Sequence, residues 1–139
     1  MADTLPLAGQ PRDLLLGTDN DLAMTATGVQ WVSGIDAVAQ SCRIAVQMFR
    51  GEWFADLTAG ITYHHQDDGT PGILGGKPAA AILRARADFN RVLSAVVGVL
   101  QVLKLEVVFD SPTRTMSVTW QVRTEYGNTD LDVIKRNTP

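Results

Sequence analysis

Residues 103–123, Leu103-Lys104-Leu105-Glu106-Val107-Val108-Phe109-Asp110-Ser111-Pro112-Thr113-Arg114-Thr115-Met116-Ser117-Val118-Thr119-Trp120-Gln121-Val122-Arg123, decide the fold. Leu103, Leu105, Val107 and Phe109 alternate with Lys104, Glu106, Val108 and Asp110. After Asp110-Ser111-Pro112-Thr113-Arg114, Met116, Val118, Trp120 and Val122 alternate with Thr115, Ser117, Thr119, Gln121 and Arg123. A period of two with one apolar side marks two strands of a half-buried sheet, and the intervening cluster is turn chemistry. The dry face sets the register: Phe109 opposite Met116, Val107 opposite Val118, Leu105 opposite Trp120 and Leu103 opposite Val122. A slip of one residue would put Trp120 and its neighbours in water, at about 1.5–3 kcal/mol per large side chain.

Upstream, Pro78 or Ala79 to about Val96 predicts a helix, with proline at the first helical position and alanine-rich sequence behind it. Ile82, Ala85, Phe89, Leu93 and Val96 make its apolar face, Arg84, Asp88 and Arg91 its wet side, and Gly98 its stop. The segment 62–78 before it is too broken by glycine and proline for a regular element and reads as a long loop. A first helix opens at Ser33 or Asp36. It carries Asp36, Gln40, Arg43, Gln47 and Arg50 on one side and Val38, Cys42, Ala45, Val46 and Phe49 on the other. It is expected to run into Arg50 and stop at Gly51, with Glu52, Trp53 and Phe54 forming a packed corner and 53–61 extended.

Leu14-Leu15-Leu16, the turn cluster 17–21 and Leu22–Thr25 suggest a small hairpin, and Val29–Val32 a third short strand. Residues 1–11 and 128–139 lack a period and are expected to be flexible ends of a single domain over 1–139. The predicted class is α+β: a small, mostly antiparallel sheet with two helices packed on one face.

Of 139 residues, 45% are apolar and 19% charged, a globular balance. The net charge of −3 argues against nucleic acid as a partner. The sequence has no apolar run of membrane-spanning length and no secretory leader pattern at Met1-Ala2-Asp3-Thr4, so direct membrane insertion is not expected and folding in a cytoplasm is. The single Cys42 lies on the apolar side of the first helix and offers neither a disulfide framework nor a cysteine metal site.

Three constellations invite a chemical reading. Glu52 with Asp56, Asp67 or Asp68 is the material of a glycoside hydrolase, which needs two carboxyls about 5–10 Å apart and one with a raised pKa. The plainer reading is solvated or backbone-bonded turn carboxylates. His64-His65-Gln66-Asp67-Asp68 lacks metal-ligand spacing, because neighbouring histidines on a strand face opposite ways. Gly69–Pro78 places glycines and Lys77 before a helix, but its spacing is not that of a nucleotide-binding loop and Pro78 stands where a hydroxyl would hold magnesium. No catalytic residue, metal or cofactor is assigned. The remaining candidate is a surface: Thr115, Ser117, Thr119, Gln121 and Arg123 line the outward face of the last strand. If that strand lies at the sheet edge, it offers a site for strand addition.

The order of these blocks resembles a known family. G-x-D-A-V-A-Q-S-C-R-I (34–44), F-R-G-E-W-F-A-D-L-T-A-G-I (49–61), I-L-G-G-K-P (73–78), V-V-G-V-L-Q-V-L-K-L-E-V (96–107) and R-T-M-S-V-T-W-Q-V-R-T-E-Y-G (114–127) follow one another as in baseplate wedge proteins of contractile phage tails. This is the sheath-initiator family, sometimes labelled lysozyme-like. The resemblance spans Asp13 to Gly127, with Gln40, Gly51, Glu52, Trp53, Gly60, Gly98 and Val99 matching as scaffold positions. The chain departs at Ala95-Val96-Val97-Gly98-Val99, where some relatives carry Glu-Pro-Arg.

The resemblance implies a non-enzymatic structural protein of the virion, in the baseplate of a contractile tail assembled in a host cytoplasm. It would link the wedge to the tail tube region and template the first sheath ring. The implied partners are the sheath protein, other baseplate wedge subunits, and tail tube or hub proteins. The alternative of another class is a tail-borne cell-wall hydrolase using Glu52. A phage tail and a related tailocin or secretion machine are not separable by sequence.

Overall fold

The C-terminal ribbon dominates the computed structural model, which describes residues 11–75 and 77–137. In chain order the elements are β1 (Arg12–Leu14), β2 (Met24–Thr25), β3 (Gly28–Val29), β4 (Trp31–Ser33), α1 (Gly34–Gln47), α2 (Pro78–Ala95), β5 (Val99–Asp110), β6 (Thr115–Thr124), β7 (Gly127–Asn128) and β8 (Asp132–Asn137). Strands β5 and β6 pair antiparallel, and β7 and β8 both pair with the far side of β6. The class is the expected α+β one. Residues 1–10 of the expected N-terminal arm lie outside the described residues.

Three of the four expected cross-strand pairs form: Phe109 with Met116, Val107 with Val118, Leu105 with Trp120. The fourth does not. A register shift between Val102 and Lys104 brings Val102, rather than Leu103, opposite Val122, and leaves Leu103 40% exposed. Met116, Val118, Trp120 and Val122 are buried, and their dry face meets the inward sides of both helices. Val38, Cys42 and Val46 come from α1, and Ala85, Phe89, Val92 and Leu93 from α2. Burying such side chains is the main favourable term in a fold of this size, each worth about 1.5–3 kcal/mol.

α1 begins after Ser33, one of the two expected caps, but ends at Gln47 rather than Arg50. Its expected last turn is spent elsewhere. Ile61 N–H donates to the Met48 carbonyl at 2.9 Å and Arg50 N–H to the Ile61 carbonyl at 3.0 Å, a short parallel bridge through Phe49. Gly51 has the left-handed φ of +86°, but it serves a separate turn closed by Glu52 N–H on the Phe49 carbonyl.

The expected extended run over 53–61 is a chain of turns, with Asp56 N–H on Trp53 O and Ala59 N–H on Asp56 O. Trp53 and Phe54 are not packed; they stand 46% and 90% exposed. In the N-terminal part, the expected hairpin shrinks to a Leu16–Leu22 bridge, while β1 pairs with β4 and β2 with β3.

α2 matches its expected span, with Pro78 at its start and Val96 as its C-terminal cap. Its wet side proves to be a clamp. The Asp88 carboxylate accepts Thr62 N–H at 2.6 Å, Arg91 donates to the Gly60 carbonyl at 2.9 Å and Arg84 to the Gly72 carbonyl at 3.2 Å. These helix residues stitch the long loop to the body, and Tyr63 and Ile73 of that loop are fully buried.

Candidate assembly interface

The five candidate contact residues all sit on β6. Thr115, Ser117, Thr119 and Gln121 are half-buried and Arg123 is exposed, on the face opposite the core. The condition attached to them, an edge position for this strand, is not met. Every position from Thr115 to Trp120 is paired with β5 on one side and β8 on the other; Thr119, for instance, lies between Glu106 and Val133. Two of the five are also engaged by side chain. Thr115 Oγ1 donates to Asn137 Oδ1 at 3.3 Å, and Gln121 Nε2 donates to the Thr129 carbonyl at 2.8 Å. The backbone of β6 is therefore spent, and its residues can meet a partner by side chain alone.

The strand that closes this edge was expected to be a free tail. In β8 the side chains of Asp132, Ile134 and Arg136 turn toward the body, while Val133, Lys135 and Asn137 are exposed. Two of the inward three are charged, which hid the period of two from an apolar reading. Asp132 is paired, and Arg136 is held at its outer nitrogen while its buried Nε has no hydrogen-bond partner. Arg43 on α1 grips Asp132 through two hydrogen bonds, at 3.0 and 2.9 Å. Arg136 donates to the Gln47 carbonyl at 3.2 Å and lies over the Phe49 and Tyr63 rings at 5.2 and 4.9 Å. The signal in the sequence was the V-I-K alternation at 133–135, too short to stand without these partners.

With β6 covered, the strands of this sheet that keep one side unpaired among the described residues are β5 and β8, of which β5 is the longer. The first half of β5 is irregular, with shifts between Val99 and Gln101 and between Val102 and Lys104. Leu105–Asp110 then runs in unbroken register. Val108, on the outer face of that stretch, is 50% exposed.

The constellations weighed for chemistry sit elsewhere, around the corner after α1. Glu52 Oε2 accepts Phe49 N–H at 3.0 Å. Asp56 Oδ1 accepts both the hydroxyl and the N–H of Thr58, at 2.6 and 2.9 Å, and the hydroxyl bond leads in holding its pKa below the usual carboxylate range. Asp68 is lowered in the same way, chiefly by Thr70. A general acid needs the opposite shift. His64 stacks on Phe49 with ring centroids 5.5 Å apart, and His65 Nδ1 accepts Gly72 N–H at 3.4 Å. Among the described residues no three His, Cys, Asp or Glu side chains are grouped so as to hold a metal ion, and no helix is long and apolar enough to cross a membrane.

The sequence from Arg12 to Gly127 matches the contractile injection system sheath initiator family. The chain belongs to that family. No curated protein matches it. The match covers β1 through the first residue of β7, so both helices and the β5–β6 ribbon lie inside it, and β8 outside. A sheath initiator is a structural component of a contractile injection system, and membership implies contact with sheath and other tail components.

Proposed function

We propose that this sheath initiator sits in the tail baseplate of a virion, joins the wedge to the tail tube or hub, and starts the sheath by strand addition. A strand of the first sheath subunit lies along the outer edge of β5, and the outward residues of β6, Thr115 to Arg123, read its side chains. The observation that carries this reading is the layout of the ribbon: β6 is sealed by β8, whereas Leu105–Asp110 of β5, the longer of the two edge strands, has a regular, one-sided ladder. Six residues of strand span about 20 Å, enough for several main-chain hydrogen bonds to a partner. The irregular first half and charged Lys104 blunt the rest of the edge against unwanted pairing.

The role is geometric and needs no catalytic step, cofactor, nucleic acid or membrane. The core under β5 and β6 holds the platform stiff, so the ladder sets both position and angle of the first sheath subunit. Particles assembled in a host cytoplasm without this chain should reach the baseplate and tube stage and carry no extended sheath; purified chain should restore it. Sheath of normal length in its absence would refute the initiating role.

A further inference from the structure

The corner after α1 combines the most exposed aromatic side chain with an acidic stretch of sequence, even though Arg91, itself paired with Asp88, reaches Gly60 and Arg136 lies over Phe49. Trp53 and Phe54, 46% and 90% exposed, stand on a turn closed by Asp56 N–H on Trp53 O, and Leu57, 62% exposed, follows it directly. Exposing this much apolar surface at one place costs solvation free energy that a monomer has no reason to bear. The turn is also stiff. Glu52 holds Phe49 N–H, Asp56 holds Thr58, and the positive-φ Gly60 brings the chain back against Met48. Aromatic side chains on a rigid turn bind at small entropic cost.

The charges select the occupant. Of 15 acids and 12 bases in the chain, four acids (Glu52, Asp56, Asp67, Asp68) and one base (Arg50) fall between positions 50 and 69, so acids and bases are equal in number elsewhere. The 66–70 loop adjoins Arg50 and Gly51, just ahead of the aromatic turn, since Gln66 Oε1 lies 3.6 Å from the site of a Cβ on Gly51 and Asp68 feels the charge of Arg50. Aromatic turns also serve to stack nucleic-acid bases or to enter lipid headgroups, but four carboxylates repel phosphate in either. They repel a second copy of the same surface too. The complement is cationic: lysine and arginine meet the carboxylates, and an arginine can lie over Trp53 or Phe54.

We infer that the 50–69 corner is a second docking site, which takes a basic segment with an apolar anchor from a neighbouring protein of the particle. This rests on the sheath-initiator role and adds to it a contact remote in sequence from the β5 edge. The test titrates the full chain with overlapping peptides tiled across the sheath and baseplate proteins of the same particle. The peptides that bind should be net positive and lose affinity as salt is raised from about 0.05 to about 0.5 M. Phe54→Ser should weaken them at least about tenfold, as for a central anchor. Asp67→Lys should weaken them as well, while Leu83→Ser, at an exposed leucine on α2, should not.

Circular dichroism checks that each variant keeps its melting temperature. Binding of acidic peptides, no binding at all, indifference to Phe54→Ser and Asp67→Lys, or attachment to phosphatidylglycerol vesicles instead would each overturn the inference. None of these outcomes touches sheath initiation, which fails only if particles lacking the chain still build sheath.

Discussion

Arg43 and Asp132, far apart in the chain, form a bidentate ion pair at 3.0 and 2.9 Å that ties α1 to the first residue of β8. The pair is what lets a strand beginning with an aspartate dock beside β6. Both groups keep solvent contact, so the pair is screened, and Arg43→Ala should cost only about 1 kcal/mol of stability in urea titration. Its larger effect should be local. Amides of 132–137 should exchange faster in the variant, while those of β5 opposite β6 hold their protection.

Thr119 is locked from both sides, by Glu106 and Val133. Thr119→Pro removes a ladder donor from a central strand and leaves its partner carbonyl without that bond, about 1 kcal/mol for the bond alone, with steric strain of the ring added. The expected result is loss of the cooperative thermal transition or a marked fall in its midpoint. Thr119→Val suits a strand and should leave the midpoint nearly unchanged.

Gly60 adopts φ +91°, and a Cβ there would sit 2.6 Å from the Met48 carbonyl oxygen, the acceptor for Ile61 N–H. Gly60→Ala must break that bridge or distort it, so we expect a loss of about 2–5 kcal/mol. Gly28→Ala, at φ +118° in open space, meets backbone strain without a clash and should cost about 1–2 kcal/mol. Denaturant titration of the two variants checks the ordering.

Cys42 is fully buried against the core, and burial first, with the Asp132 charge adding to it, pushes its thiol up to about 12. The native protein should therefore resist alkylation at pH 8, and modification should follow unfolding. The raised value also fixes a sign. The folded state keeps a proton that the unfolded thiol releases near pH 9, so this stability is complete below pH 9 and is lost as pH climbs toward 12. Each unit in that window costs at most about 1.4 kcal/mol. The Tyr63 hydroxyl, raised mainly by burial, works in the same direction. Melting points measured across pH 8–11 should fall only in the upper part of that range.

The elements legible in the sequence were those whose side chains announce their own surroundings. Met116, Val118, Trp120 and Val122 needed nothing beyond a dry face, and α2 carried proline and alanine at its start. The failures share a cause. α1 stops early because Phe49 pairs with Ile61, a contact that local periodicity cannot foresee. Leu103 faces out because it is the residue skipped at the register shift between Val102 and Lys104. β8 was missed because its inward residues include Asp132 and Arg136, polar in sequence but partnered in the fold. Because β8 pairs with β6, the edge position supposed for β6 is not available. The outward residues of β6 do lie opposite the core, but the unpaired rims of this sheet belong to β5 and β8.

The central claim, that a sheath strand joins the outer side of β5, is tested most directly by amide hydrogen exchange on the chain before and after sheath protein is added. Amides in Leu105–Asp110 should gain protection, while β6, already paired on both sides, stays as it was. Unchanged exchange across 105–110 in a complex that has formed, or protection gained along β8 instead, would contradict it.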